Sequence, residues 1–170
     1  VLVDVQERLF PHIHNNQELL KRLEITLKGL KLMDVPILVT EQYVKGLGST
    51  IPELQEHIRG LEKFEKISFS CCGSEEFIDS LIKSRRKEVF LLGIETHVCI
   101  LQSFLDLKNR GLNVMTIADC VSSRKHYDKE IALQRVIQEG GRVGTSESIL
   151  LELCKEAGTS TFKEISQLIK

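Results

Sequence analysis

The feature that most constrains this chain is the alternation of short apolar segments with longer amphipathic ones. Continuous apolar runs of strand length occur at 1–5, 35–40, 88–94 and 112–119. Longer runs with a helical spacing of apolar residues follow them, at 15–34, 73–86, 96–110 and 127–139. Strands that are apolar on both faces are typical of a parallel sheet covered by helices on both sides. The pattern therefore predicts an α/β fold, a Rossmann-like three-layer α/β/α sandwich.

Two shorter apolar segments complete the predicted sheet. One strand is expected within 62–70 and another at 142–145, which brings the parallel sheet to roughly six strands. A helix over 146–158 and a last helix near the end of the chain are also predicted. The 170 residues contain no repeat and no linker, so we expect a single domain over 1–170.

The charge balance bears on which partners are expected. The chain has 23 Lys and Arg residues against 24 Asp and Glu residues, a formal net charge of −1. Nucleic acids and anionic membranes usually bind basic surfaces, so the balance argues against both. No apolar run approaches the roughly 18 residues that a membrane span needs, and no secretory signal is visible. The expected partner is a small-molecule substrate.

The cysteines indicate a reducing compartment. There are five, an odd number, and they form neither a Cys-x-x-Cys pair nor a Cys/His spacing that suits zinc. A disulfide framework is not expected in a chain of this length without a signal peptide. We therefore predict reduced thiols and a cytoplasmic location, with most of the cysteines acting as small buried hydrophobic residues.

Three chemically active residues fall where the predicted strands end. Asp4 interrupts the first strand, Lys66 ends the third apolar segment, and Cys99 opens the helix after the strand at 88–94. Open parallel sheets bind ligands at the carboxyl ends of their strands. Each residue also has a purely structural interpretation: a loop contact for Asp4, a solvated cation for Lys66 and a buried packing thiol for Cys99. A thiol at a helix N-terminus, however, feels the positive end of the helix dipole, which favours the thiolate.

Taken together, the three residue types suit nucleophilic catalysis. A cysteine nucleophile needs a base to remove its proton and a cation to hold the charge. Asp4 is the candidate base, Lys66 the electrostatic partner and Cys99 the nucleophile. Backbone N–H groups at the start of the helix would then face a developing oxyanion.

Further candidates for substrate contacts lie near these three. They are Gln6, at the end of VLVDVQ, Tyr43, after the second strand, and His97, two residues before Cys99. Tyr43 is placed to stack on a flat ligand, with loop packing as the alternative. His97 is placed to touch a substrate or a neighbouring subunit, with a packed or solvated histidine as the alternative.

Several separated motifs resemble one known family. VLVDVQ contains Asp4, KISFS contains Lys66 and LLGIETHVCI contains Cys99, and the later stretches ADCVSSR and GTSESIL agree as well. The chain resembles the isochorismatase-like cysteine hydrolases over nearly its whole length. Within that family it is most similar to the isochorismatase domain-containing proteins, through TEQYVKGLGSTIPEL and ETHVCI.

The resemblance implies a set of roles for these residues. Asp4, Lys66 and Cys99 would form the catalytic triad. A non-proline cis peptide bond would join Ile94 to Glu95, with the backbone amides of Glu95 and Cys99 in the oxyanion hole. The resemblance also implies a homo-oligomer.

Two departures from the family pattern bear on the chemistry. Nicotinamidases of this family bind a metal through an Asp-x-His pair after the second strand, and the corresponding TEQYVKGLGST has no histidine. We therefore expect no metal and no cofactor. The family's namesake cleaves a vinyl ether, and members that do so can lack the cysteine. The presence of Cys99 thus favours thiol-based amide hydrolysis over isochorismate hydrolysis.

Two functions of different classes follow. The first is a metal-independent cysteine hydrolase that cleaves a C–N bond of a small amide through a thioacyl-enzyme. The second is a non-catalytic binding or scaffolding protein whose site is vestigial. A nuclease has little support, because no metal-binding carboxylate cluster is visible. The state of the Cys99 thiol distinguishes the first two.

Overall fold

The computed structural model of the chain describes all 170 residues and is built around one six-stranded sheet. The strands are β1 (Leu2–Val3), β2 (Val39–Gln42), β3 (Lys63–Lys66), β4 (Glu88–Ile94), β5 (Asn113–Ser122) and β6 (Arg142–Gly144). They lie in the order β3-β2-β1-β4-β5-β6, and every neighbouring pair is parallel. The predicted α/β fold with a six-stranded parallel sheet is confirmed.

Eight α-helices accompany the sheet. They are α1 (Asn16–Leu32), α2 (Val44–Leu47), α3 (Pro52–Ile58), α4 (Glu75–Lys83), α5 (Leu101–Asn109), α6 (His126–Gln138), α7 (Ser146–Cys154) and α8 (Ser160–Leu168). A π-helical segment, Thr96–Ile100, leads directly into α5. None of the helices is both long enough and apolar enough to cross a bilayer.

The core is divided by the sheet into two apolar clusters. One contains buried side chains of α1, α3, α7 and α8, and the other contains those of α4, α5 and α6. Neighbouring strand residues face opposite clusters: Leu2 and Leu92 belong to the first, whereas Val3 and Leu91 belong to the second. This alternation is the period of two that a strand imposes on its side chains. Because both faces are covered, the central strands β1 and β4 carry apolar side chains on both faces, which explains their continuous runs in the sequence.

The strand order places a crevice at the centre of the sheet. From β1 the chain first builds outward to β2 and β3, and then returns to β4 on the other side of β1. In sheets of this kind the ligand site lies at such a reversal, beyond the carboxyl ends of the strands. The ends of β1 and β4, at Val3 and Ile94, therefore mark the expected position of a site.

The element boundaries differ from the sequence-based expectations at several places. Regular pairing of β1 ends at Val3, because Asp4 adopts a left-handed backbone conformation with φ of 53°. The strand predicted at 35–40 pairs over Val39–Gln42 instead. The predicted helix over 146–158 ends at Cys154. The first of these differences turns the Asp4 side chain out of the regular strand, which bears on the site.

Candidate active site

Asp4 and Lys66 form a buried ion pair at the carboxyl edge of the sheet. Asp4 directly follows β1, and Lys66 is the last residue of β3, with β2 lying between the two strands. The Lys66 Nζ lies 2.6 Å from Asp4 Oδ2, and the two side chains are 0% and 1% exposed. Removing two charges from water costs several kcal/mol per ion unless further hydrogen bonds satisfy both groups.

Such hydrogen bonds are present on both partners. The Lys66 ammonium also donates to the carbonyl oxygens of Ser68, at 3.1 Å, and Phe69, at 2.9 Å. Its remaining neighbour is Gln42 Oε1, at 3.3 Å. On the other side, the Thr40 hydroxyl donates to Asp4 Oδ1 over 2.7 Å. The pair is therefore embedded in a polar network that holds both side chains in one arrangement.

Cys99 lies within the π-helical segment, close to this ion pair. Its side chain is 5% exposed, and its Sγ donates a hydrogen bond to Gln42 Oε1 at 3.2 Å. Burial raises the pKa of the Cys99 thiol well above its ordinary value, and the adjacent Asp4 carboxylate raises it further, whereas Lys66 opposes both. The resting state at neutral pH is therefore a neutral thiol.

This direction of the pKa shift contradicts the expectation of a thiolate at the helix N-terminus. The helix dipole acts on a group most strongly where solvent and counterions do not compete, but the same exclusion of water penalises the charged sulfur. Here the loss of solvation and the nearby carboxylate outweigh the positive neighbours. A mechanism that uses Cys99 must therefore remove its proton during the attack.

The backbone next to the thiol is tied to the loop after β5. The Ile94–Glu95 peptide bond is cis. The buried Glu95 carboxylate accepts a hydrogen bond from the Arg124 backbone N–H at 2.9 Å and contacts the Arg124 Nε at 3.1 Å. These contacts hold the start of the π-helical segment, and with it Cys99, against the end of the neighbouring strand.

The three further candidates from the sequence lie in different surroundings. Gln6 is fully buried, and its carboxamide bonds the backbone of Gln42, at 2.7 and 2.9 Å, and the carbonyl of Gly48, at 2.6 Å. Its polar atoms thus bind the backbone at the end of β2 and at Gly48. Tyr43 is 49% exposed beside the site, where its ring is accessible to a ligand.

His97 links the π-helical segment to α6. Its Nδ1 lies 3.0 Å from the Ser123 hydroxyl, and its Nε2 lies 3.9 Å from Asp128 Oδ2. Ser123 is fully buried, so this Ser/His/Asp grouping offers no accessible hydroxyl nucleophile. The contacts favour the structural interpretation of His97 over a substrate contact.

Two further residues contact the side chains of the candidate triad. Thr40 binds Asp4, and Gln42 binds both Lys66 and Cys99. Both belong to β2, and Gln42 is the register partner of Lys66 on β3. The available signal was the polar end of an otherwise apolar strand, VPILVTEQ. No three His, Cys, Asp or Glu side chains come close enough to hold a metal ion.

A match to a protein family agrees with the motifs and the fold. Residues 1–148 match the Isochorismatase domain. The chain belongs to the isochorismatase family. The mouse isochorismatase domain-containing protein 2A is 41% identical over 170 residues, a match that covers 99% of this chain and 81% of the mouse protein. The resemblance stated from the motifs is confirmed.

Solved structures of the isochorismatase fold superpose closely on this chain. A Caenorhabditis elegans structure described as MAR1 ribonuclease has a TM-score of 0.92 and 37% identity, covering 99% of this chain and 86% of its own. The Escherichia coli YcaC gene product, described as an octameric hydrolase of unknown specificity, has a TM-score of 0.91 and 18% identity. The match covers 98% of this chain and 85% of the YcaC chain. The second match, at this low identity, supports the fold alone.

Proposed function

We propose that this member of the isochorismatase family is a metal-independent cysteine hydrolase. It would cleave a C–N bond of a small amide through a thioacyl-enzyme. The observation that carries the proposal is the buried Asp4–Lys66 ion pair, with Nζ and Oδ2 2.6 Å apart, beside the buried Cys99 thiol. Family membership supports hydrolase chemistry in general.

In the acylation step, Cys99 Sγ attacks the carbonyl carbon while its proton passes to the Asp4 carboxylate. An S–C bond forms and the S–H bond breaks. Asp4 then gives this proton to the departing nitrogen, the C–N bond breaks, and an amine leaves. Because the Cys99 pKa is raised, general-base removal of the proton by Asp4 has to accompany the attack.

In the deacylation step, a water molecule attacks the thioester as Asp4 takes its proton. The C–S bond breaks, Asp4 returns the proton to sulfur, and a carboxylic acid leaves. Lys66 stabilises the Asp4 carboxylate through the ion pair. The backbone N–H groups of Glu95 and Cys99, at the start of the helical segment, would donate to the oxyanion formed in each step.

Two other functions remain to be separated from this one. A non-catalytic binding protein is supported by the protonated, largely buried thiol. RNA cleavage is suggested by the description of the Caenorhabditis elegans relative as a ribonuclease, at 37% identity. Of the three functions, only the proposed hydrolase forms a covalent bond to Cys99 and breaks it again in each turnover.

The test is a panel of small primary and secondary amides, with the released amine measured by mass spectrometry. Cys99→Ala should reduce turnover of any accepted amide by about a thousandfold or more. Asp4→Asn should reduce it by about a hundredfold to ten-thousandfold, because the base is lost. Acid quenching of the wild-type reaction should leave an acyl group on the peptide that contains Cys99.

Cys154→Ala provides the matched control. It removes a thiol of the same chemistry from α7, where the Cys154 sulfur contacts Met33 at 3.8 Å, and turnover should be unchanged. Amide turnover that survives in Cys99→Ala would refute the mechanism. Degradation of a single-stranded RNA that persists in Cys99→Ala, with no amide accepted, would favour the ribonuclease function instead.

We also infer that the chain acts as a homo-oligomer in the cytoplasm. The support for assembly is the description of YcaC as octameric, together with exposed apolar side chains such as Tyr127 on α6. Size-exclusion chromatography with multi-angle light scattering measures the mass of the assembly that the purified chain forms. A monomer at micromolar concentration would contradict the inference.

A further inference from the structure

The Gln42 side chain occupies a position between the cation and the sulfur of the candidate triad. Its Oε1 accepts from Lys66 Nζ at 3.3 Å and from Cys99 Sγ at 3.2 Å. Its Nε2 donates to the carbonyl oxygen of Ile67 at 3.3 Å. Asp4 is the other side chain that contacts both Lys66 and Cys99.

These neighbours determine which way the carboxamide points. An ammonium only donates hydrogen bonds, so Lys66 requires the oxygen of Gln42 on its side. A backbone carbonyl only accepts, so Ile67 requires the nitrogen on the other side. Both requirements agree. The atom that faces Cys99 is therefore an acceptor, and the thiol must be the donor.

The backbone of Gln42 is held as firmly as its side chain. The Gln6 carboxamide accepts from the Gln42 N–H at 2.7 Å and donates to the Gln42 carbonyl at 2.9 Å. The same Gln6 Nε2 donates to Gly48 at 2.6 Å. Gln6 is fully buried, whereas Gln42 is only half-buried. The main chain is thus fixed, while the carboxamide at its end is accessible to an incoming ligand.

We propose that Gln42 is a positioning residue that holds Cys99 as a neutral thiol in the resting protein and releases it when a substrate displaces its carboxamide. This inference rests on the proposed role of Cys99 as nucleophile. An acceptor stabilises S–H and repels a thiolate. Asp4 also lies within hydrogen-bonding reach of the Cys99 sulfur. The thiol has a single proton, so as long as it donates this proton to Gln42, the proton transfer to Asp4 that begins acylation is held back.

The test uses iodoacetamide labelling of Cys99 as a function of pH, read by peptide mass spectrometry without any substrate. In Gln42→Leu the acceptor is lost while side-chain bulk is largely kept. The midpoint of the labelling curve should fall, and the rate at about pH 8 should rise by about threefold to tenfold, the factor that one hydrogen bond supplies. In Gln42→Glu a carboxylate faces the sulfur, so the midpoint should rise.

The opposite directions separate this role from a merely structural one. A loosened site would raise the plateau rate in both variants without moving the midpoint. Gln55→Leu is the matched control: Gln55 also contacts a lysine, Lys63 at 3.3 Å, and a backbone carbonyl, that of Thr50 at 2.6 Å, but it does not contact Cys99. Its labelling curve should coincide with that of the wild type.

Gln42→Asn provides a further labelling curve in case Gln42→Leu or Gln42→Glu does not fold. It keeps a carboxamide but withdraws the oxygen by one methylene, so the midpoint should fall as in Gln42→Leu. A midpoint that is unchanged or raised in both Gln42→Leu and Gln42→Asn overturns the inference. Because the labelling experiment measures no turnover, its result is independent of the proposed hydrolase function. Either one can be contradicted while the other is supported.

Discussion

At the residue scale, the site consists of side chains whose properties are set by their neighbours more than by their own chemistry. Cys99 lies next to a carboxylate that raises its pKa and an ammonium that lowers it. Lys66 is a fully buried cation that is stabilised by one carboxylate and three further oxygen atoms. The same three residue types in open solvent would have none of these features.

A second cysteine, Cys71, lies behind the ion pair and responds to the same environment. The Thr40 hydroxyl that donates to Asp4 also lies 3.7 Å from Cys71 Sγ. Burial, and then the Asp4 carboxylate, raise the pKa of Cys71 from 9.0 to about 11. Cys71 is inaccessible, so this shift affects stability and not reactivity.

We predict that Cys71 makes the protein less stable in alkali. Between pH 9 and about 11 the unfolded thiol loses its proton while the folded thiol keeps it, so the free energy of unfolding falls as pH rises. The loss amounts to about 2–3 kcal/mol at the upper end of that interval. In urea unfolding, the difference in the free energy of unfolding between the wild type and Cys71→Ala should become smaller over this pH interval.

Cys71→Ser separates this ionisation from simple packing. The cost of a packing defect does not depend on pH, so Cys71→Ser and Cys71→Ala should differ in stability at neutral pH yet show the same narrowing. A gap that stays constant from pH 9 to about 11 would mean that the folded and unfolded thiols titrate alike, contrary to the shift described.

The residues of the candidate site could be proposed from the sequence, but the pKa of Cys99 could not. Asp4, Lys66 and Cys99 are recognisable because each is a reactive side chain at or just after the end of a predicted strand. The Cys99 pKa depends on the exclusion of water by residues distant in the chain, and on the carboxylate of Asp4, contributed by another strand. The local sequence around Cys99 predicts the start of a helix but not the burial of the thiol, and burial makes the largest contribution to its pKa shift.

At the element scale, the site depends on how closely the two central strands approach each other. β1 and β4 are paired through Leu2 with Leu92 and Val3 with Gly93. Gly93 has φ of +117°, and a Cβ at this position would lie 2.1 Å from the Val3 carbonyl oxygen. Only glycine fits at position 93. Its register partner Val3 directly precedes Asp4, and Gly93 itself directly precedes Ile94.

We predict that Gly93→Ala is severely destabilising. Either β1 moves away from β4 or the backbone at 93 leaves its conformation, and both disturb the position of Asp4. The free energy of unfolding in urea should fall by several kcal/mol, or the chain should fail to accumulate in folded form.

Gly60→Ala is the control for backbone conformation alone. Gly60 also has positive φ, +77°, but nothing lies within 4 Å of an added Cβ. It should cost only about 1–2 kcal/mol, the penalty for a left-handed residue with a side chain. Similar losses in the two variants would show that the close approach of β4 to β1 is not what Gly93 provides.

Element types were more predictable than element ends. The strands and helices follow from continuous and periodic apolar runs, because each face of the sheet is covered. The ends depend on local conformations that apolar patterns do not contain. Asp4 leaves β1 through a left-handed turn, and Thr96–Ile100 winds as a π-helical segment before α5. Both irregularities lie at the site, where the regular pattern is interrupted by polar side chains.

At the scale of the whole molecule, the net charge is −1, and the charges of the site itself cancel. Asp4 is paired with Lys66, and the Cys99 thiol is neutral at rest. In the proposed cycle the proton moves only between Cys99, Asp4, the leaving group and water. The paired charges of Asp4 and Lys66 therefore provide little long-range field that would attract a charged substrate.

We predict that hydrolysis of a neutral amide is insensitive to salt. Between about 0.01 M and 1 M ionic strength the Debye length falls from about 30 Å to 3 Å. Over that range kcat/KM should change by less than about twofold. A steep fall with added salt would mean that solvent ions reach the charges of the site, contrary to the burial and pairing of Asp4 and Lys66.

The buried Asp4–Lys66 pair has a consequence for the kinds of molecule that the site accepts. Its two charges already satisfy each other, so an ionised group brought next to the scissile bond would find no free counterion and little water. Burying such a group costs several kcal/mol. If the proposed amide hydrolysis is correct, the uncharged one of two amides of equal shape should be the preferred substrate.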